Sequence, residues 1–172
     1  MKTALVFGSS GLIGGHLLNE LIQNDNYSKI KLFVRSDHGS NDPKTEIIKT
    51  DFNNLENHKE DIKGDDCFFC IGTTKQNSPD KNEYKRVELD VPKKIAQIAK
   101  SNLVNSFVFV SSGYADPKSS GDYLKFKGLV EEELKRLSFS KLAIMRPSFL
   151  MGDRKEKRVG EKVGIFIFKL LS

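Results

Sequence analysis

The stretch Gly8-Ser9-Ser10-Gly11-Leu12-Ile13-Gly14 follows the apolar run Thr3-Ala4-Leu5-Val6-Phe7 without a gap, and nothing else in the chain restricts its fold as tightly. An apolar run of that length fits a buried parallel strand, and Leu12, Ile13, His16, Leu17, Leu18, Leu21 and Ile22 then recur at helical spacing. The glycines therefore lie on a strand-to-helix turn. Without a Cβ there, the backbone can approach a pyrophosphate closely, and the free N–H groups and positive dipole end of the helix attract its charge. The turn reads as a dinucleotide cradle formed by Gly8, Ser9, Ser10, Gly11, Leu12, Ile13 and Gly14.

The rest of the chain repeats the same alternation. Strands are expected at Ile30-Lys31-Leu32-Phe33-Val34, at Ile47-Ile48-Lys49-Thr50, over residues 67–71, over residues 106–111 and over residues 141–145, the last closed by Arg146-Pro147. Helices are expected over residues 85–101 and 123–137, with Pro92 starting or kinking the first of these near Asp90. Residues 37–44 and 114–122, rich in Gly, Ser, Asn, Asp and Pro, read as surface loops. Such βα repetition predicts an α/β fold of Rossmann type: a doubly wound parallel β-sheet in a three-layer αβα sandwich, with ligands bound at the carboxyl ends of the strands. A length of 172 residues suits one NAD(P)-binding domain over residues 1–172, within which residues 152–172 read as a remnant substrate-side segment.

The excess of 28 Lys+Arg over 23 Asp+Glu gives a net charge of +5. That balance favours anionic ligands, but the clustered basic and aromatic residues of a nucleic-acid binder are absent. The start Met1-Lys2-Thr3 runs directly into the first strand and no apolar stretch reaches membrane-spanning length, which reads as a cytoplasmic protein. Cys67-Phe68-Phe69-Cys70 has the spacing of a redox pair, but residues three apart on a strand face opposite ways, so two buried thiols are expected. His16, His38 and His58 are scattered, so no metal site is expected.

The end of the second strand bears on the choice of coenzyme. A carboxylate there would accept hydrogen bonds from the adenosine ribose diol, whereas a guanidinium would pair with a 2′-phosphate. Arg35 follows Val34 and favours NADP(H), while Asp37 two residues on keeps NAD(H) as the other candidate. Asp51 and Phe52 after the third strand either flank the adenine or, for Asp51, cap the next short helix. On the other half of the sheet, Tyr123 and Lys127 lie one helical turn apart on a common face. The ammonium stabilises a phenolate, easing proton exchange with a carbonyl or hydroxyl, and can also hold the nicotinamide ribose. Ser111-Ser112 at the end of the fifth strand could hold the reacting oxygen beside the phenol.

Together these residues resemble the short-chain dehydrogenase/reductase superfamily, through Gly8-x-x-Gly11-x-x-Gly14, Ser111-Ser112 and Tyr123-x-x-x-Lys127. Cys70-Ile71-Gly72-Thr73-Thr74, Tyr123-Leu124-Lys125-Phe126-Lys127-Gly128 and Arg146-Pro147-Ser148-Phe149-Leu150-Met151-Gly152-Asp153-Arg154 are similar to its atypical TIP30-like branch. The resemblance implies NADPH binding by the glycine turn and Arg35, nicotinamide-side contacts from Gly72, Thr73, Thr74, Pro147 and Ser148, and Tyr123 as proton donor or acceptor. It also implies Ser112 ahead of Ser111 as the hydroxyl on the substrate oxygen. Val87-Glu88-Leu89-Asp90 stands where many extended relatives carry an asparagine at the start of the fourth helix, so the polar role of that asparagine does not carry over, and Arg35-Ser36 is a thinner phosphate clamp than paired arginines. The apolar stretch over residues 164–171 either packs as a last core element or marks a contact with a second copy, a protein partner or a membrane. The preceding Arg154-Lys155-Glu156-Lys157-Arg158 reads as a solvated face. Two functions are therefore expected to compete. One is an NADP-dependent oxidoreductase acting on a small carbonyl or alcohol; the other is a non-catalytic NADPH-binding sensor that acts through a partner.

Overall fold

Apolar residues on both faces of consecutive strands force a sheet that is covered on both sides. In β1 (Lys2–Phe7), Ala4, Leu5, Val6 and Phe7 are all fully buried, as a central parallel strand requires. The computed structural model, which describes residues 1–36 and 40–148, places β1 in a parallel sheet with β2 (Tyr27–Val34), β3 (Thr45–Lys49), β4 (Asp66–Phe69), β5 (Ser106–Val110) and β6 (Lys141–Met145). The six strands run in the order β3-β2-β1-β4-β5-β6, a Rossmann-type arrangement. The order reverses between β1 and β4, and a ligand crevice opens outside the strand ends at such a point.

The alternation of side chains along β1 divides the core. Ala4 and Val6 pack with Ile30, Leu32 and Val34 beneath Leu18 and Leu21 of α1 (Leu12–Gln23). Leu5 and Phe7 face the opposite layer, where they meet Ile95 and Ala99 of α3 (Val91–Ser101) and Val130 and Leu134 of α4 (Asp122–Leu137). Phe7 stacks on Phe33 with ring centroids 4.3 Å apart, and Phe69 bridges from Phe7 to Phe109 at 6.1 and 6.0 Å. This aromatic row lies across the carboxyl half of the sheet and gives the crevice a stiff floor.

The expected helix over residues 85–101 starts earlier and is built in pieces. The Asp80 side chain caps α2 (Lys81–Lys85) by accepting from the Glu83 amide at 2.8 Å. A π turn (Arg86–Asp90) then leads directly into α3, with Pro92 in its first turn. The Pro92 ring would clash with the Glu88 carbonyl one α turn back, and the wider turn takes up that clash. It also buries the Glu88 side chain, with functional consequences. Cys67 is buried as expected, while Cys70 lies just beyond β4, half-buried, and burial raises its thiol to about 11. Asp37 and His38, the Phe149-to-Arg154 part of the family motif, residues 152–172 and the apolar stretch over 164–171 lie outside the described residues.

Candidate functional site

Gly8, directly after β1, adopts φ 92°, and a Cβ there would stand 2.8 Å from the Ile71 amide nitrogen. Only glycine makes this turn without strain. Gly14 is tighter still: its Cβ would lie 2.1 Å from the Gly8 carbonyl oxygen, so α1 packs directly on the turn. At Gly11 a Cβ would approach protein only at the Gly8 oxygen, 3.5 Å away. Its bareness serves the open side, where Gly11 and Ser10 line a cleft. Gly11 is the N-cap of α1 with no side-chain cap, and the first turn holds no acidic residue. The leading amides of the helix thus have no side-chain competitor, the arrangement in which a helix start takes up an anion. A cradle that backbone fills on one side and leaves bare on the other fits a diphosphate.

The cleft, about 540 Å³, runs along the strand ends from Arg35 past Phe52 to Gly72 and Thr73. Of the residues expected to hold a coenzyme, Gly8, Ser10, Gly11, Arg35, Phe52, Gly72 and Thr73 share its wall. Ser9 and Gly14 are buried in the turn behind it. Asp51 neither lines the cleft nor caps the short 3-10 helix Leu55–His58: it accepts from the Asn53 amide at 2.9 Å and side chain at 2.8 Å, which hold its carboxyl below the ordinary value. Phe52 has φ 63°, a left-handed conformation unusual for a bulky residue, and its carbonyl accepts from Arg86 Nη1 at 3.2 Å. Thr74, Pro147 and Ser148 do not line the cleft, although the Gly113 amide donates to the Pro147 carbonyl at 2.9 Å and ties the ends of β5 and β6 together.

Tyr123 and Lys127 occupy successive turns of α4. The Lys127 ammonium is buried, 5.9 Å from the Tyr123 ring centroid and 5.0 Å from that of Phe109. It donates to the Val110 carbonyl at 3.3 Å and pairs with Glu88 Oε2 at 3.1 Å. The other Glu88 oxygen accepts from the Thr73 amide at 2.5 Å. Glu88 is 1% exposed, so it joins the cleft floor to the helix that carries Tyr123. The sequence does not single out Glu88, because its partners Lys127 and the Thr73 amide lie on other elements. A Cβ on Gly72 would lie 4.0 Å from Lys127 Nζ, which places the ammonium just beneath the cleft wall.

The two serines part ways. Ser111 is buried and donates to Glu131 Oε1 at 2.5 Å, while Arg146 grips the same carboxylate through Nε at 3.0 Å and through its Nη2. Ser112 is half-buried, and among the described residues its hydroxyl has no hydrogen-bond partner. Burial opposes ionisation of Glu131, but the hydrogen bonds from Arg146 and Ser111 hold its carboxyl below the ordinary glutamate value of 4.5. A group harder to protonate in the native than in the unfolded chain contributes stability above that value and loses it as pH falls through its native range. The difference in urea midpoint between the wild-type chain and Glu131→Gln is therefore expected to shrink as pH falls through 4.5 and below. A difference independent of pH would contradict this network.

Among the described residues no His, Cys, Asp or Glu cluster of three or more could hold a metal, and no helix is long and apolar enough to cross a membrane. The sequence matches the NAD(P)H-binding family over residues 8–164. Protein HTATIP2 of Rattus norvegicus is 34% identical over 166 residues, 93% of this chain and 67% of its own length. Protein fmp52, mitochondrial, of Emericella nidulans is 30% identical over 174 residues, 96% of this chain and 74% of its own. The fold resembles the Bordetella bronchiseptica enzyme WbmH solved in complex with NAD+, with TM-score 0.74, 18% identity, and coverage of 99% of this chain and 62% of that one. It also resembles a putative NAD-dependent epimerase/dehydratase from Bacillus halodurans, with TM-score 0.68, 24% identity, and coverage of 90% and 73%. The mitochondrial names of the fungal relatives correct the cytoplasmic expectation.

Proposed function

The chain belongs to the NAD(P)H-binding family, and from that premise we propose that it is an NADP-dependent oxidoreductase of the short-chain dehydrogenase/reductase type, acting on a small carbonyl or alcohol. The carrying observation is the buried Lys127 ammonium held against the Tyr123 ring and directly beneath Gly72 at the cleft wall. The glycine turn and the uncapped start of α1 would hold the diphosphate, Arg35 the 2′-phosphate, and Gly72 and Thr73 the nicotinamide end. A bound coenzyme supplies or takes up the hydride. In the reductive direction Tyr123 Oη gives its proton to the substrate carbonyl oxygen, and Lys127 stabilises the phenolate left behind. Ser112 Oγ donates to the same oxygen and orients it. Glu88 keeps Lys127 from swinging away from the phenol.

One observation favours the other reading, a coenzyme sensor without catalysis. Lys127 is engaged by Glu88 and the Val110 carbonyl, as a purely structural lysine would be. A screen of carbonyl compounds with NADPH separates the two. Tyr123→Phe is expected to lower turnover at least ~100-fold while coenzyme affinity stays within about twofold. Undiminished turnover in the variant would overturn the catalytic assignment, and intact NADPH binding without any turnover in the wild-type chain would support the sensor.

A further inference from the structure

Arg35 is a lone arginine at the end of β2, but a second guanidinium lines the same cleft. Arg86, on the π turn, lines the wall together with Arg35, Phe52 and Glu83. Its Nη1 donates to the Phe52 carbonyl at 3.2 Å, which fixes the guanidinium at the adenosine end. The fork formed by Nε and Nη2 is filled from within the chain: Glu83 accepts from both, at 2.7 and 2.8 Å. A carboxylate and a phosphate engage that fork edge in the same bidentate way. Glu83 thus stands where a phosphate would sit. The Arg86 hydrogen bond holds its carboxyl below the ordinary value, and the positive charge of Arg35 adds to the effect.

Resting on the coenzyme reading above, we propose that Arg86 is the second phosphate ligand of the 2′ subsite and that Glu83 is its built-in competitor. With a ribose diol in the subsite, Glu83 stays on Arg86 and turns an acceptor oxygen to the hydroxyls. With a 2′-phosphate, the phosphate displaces Glu83 from the fork and bridges Arg35 and Arg86. Glu83 has another resting place close by. It is the third residue of α2 behind the Asp80 cap, and from there a glutamate side chain can reach back to the amide of the cap residue. The subsite therefore admits both coenzymes, and the Glu83–Arg86 pair sets their ratio.

Both side chains are partly exposed, 43% for Glu83 and 30% for Arg86, so their variants are expected to fold, which melting temperatures check. Calorimetric titrations of NADPH, NADH and 2′,5′-ADP into the wild-type chain, Glu83→Gln and Arg86→Gln test the proposal. Glu83→Gln is expected to tighten NADPH and 2′,5′-ADP at least about fivefold without tightening NADH, and Arg86→Gln to weaken both phosphorylated ligands by a similar factor. Glu83→Asp should restore a ratio near that of the wild-type chain. NADPH binding with an unchanged NADPH-to-NADH ratio in both glutamine variants overturns this inference alone. A wild-type chain that binds neither coenzyme overturns the coenzyme reading, and this inference with it.

Discussion

Gly14→Ala is expected to lose measurable binding of nicotinamide dinucleotides and about 3 kcal/mol or more of stability. The added methyl would stand 2.1 Å from the Gly8 oxygen, 2.7 Å from its carbonyl carbon and 3.0 Å from the Ser9 Cα. All three are backbone atoms of the turn, so no side chain can swing aside. Relief requires α1 to lift off the turn, and its leading amides, which on the proposed reading hold the diphosphate, move with it. Gly11→Ala supplies the contrast. Its methyl meets protein only at 3.5 Å and points toward the cleft, so affinity should fall while the urea midpoint holds. Chemical denaturation and coenzyme titration of both variants provide the check. Gly14→Ala with wild-type stability and affinity would refute the packing described.

Glu88→Ala is expected to cost about 3–5 kcal/mol, because it leaves the Lys127 ammonium buried without its counter-charge. Lys127→Met strands the Glu88 carboxylate in the same way, with only the Thr73 amide to satisfy it. Each single loss includes the penalty of an unpaired buried charge, so Glu88→Ala combined with Lys127→Met should cost clearly less than the sum of the single changes. The Glu88 variants should also weaken coenzyme binding, since Thr73 in the cleft wall loses its anchor. Urea melts of the four-member cycle measure the coupling. Additivity within about 0.5 kcal/mol would mean that the pair does not act as a unit.

What the sequence revealed and what it hid follow from how far apart the interacting residues lie. The glycine turn was legible because its strand, turn and helix are contiguous, and each glycine answers to its neighbours. Tyr123 and Lys127 were legible because helical geometry alone puts them on one face. Glu88 was hidden because its partners, Lys127 and the Thr73 amide, belong to other elements, and because a π turn rather than a regular helix turns it inward. Arg86 and Glu83 were hidden for a related reason. An i,i+3 ion pair reads in sequence as an ordinary exposed helix contact, and only the fold brings it into one cleft with Arg35. The choice between Ser111 and Ser112 depends on Glu131 and Arg146, brought together by α4 and β6. Asp51 does not cap the short helix, since both of its oxygens turn to Asn53.

The bare amides between β1 and α1 are expected to hold the diphosphate of a nicotinamide coenzyme. The most direct measurement is the melting temperature of the chain against rising NADPH and NADH, with calorimetry in parallel. Ligand at 100 times its dissociation constant adds about 2.7 kcal/mol, which for a chain of this size raises the midpoint by about 5–10 °C. Saturable heat with that shift for at least one coenzyme is the expected result, and neither heat nor shift with either of them would contradict it.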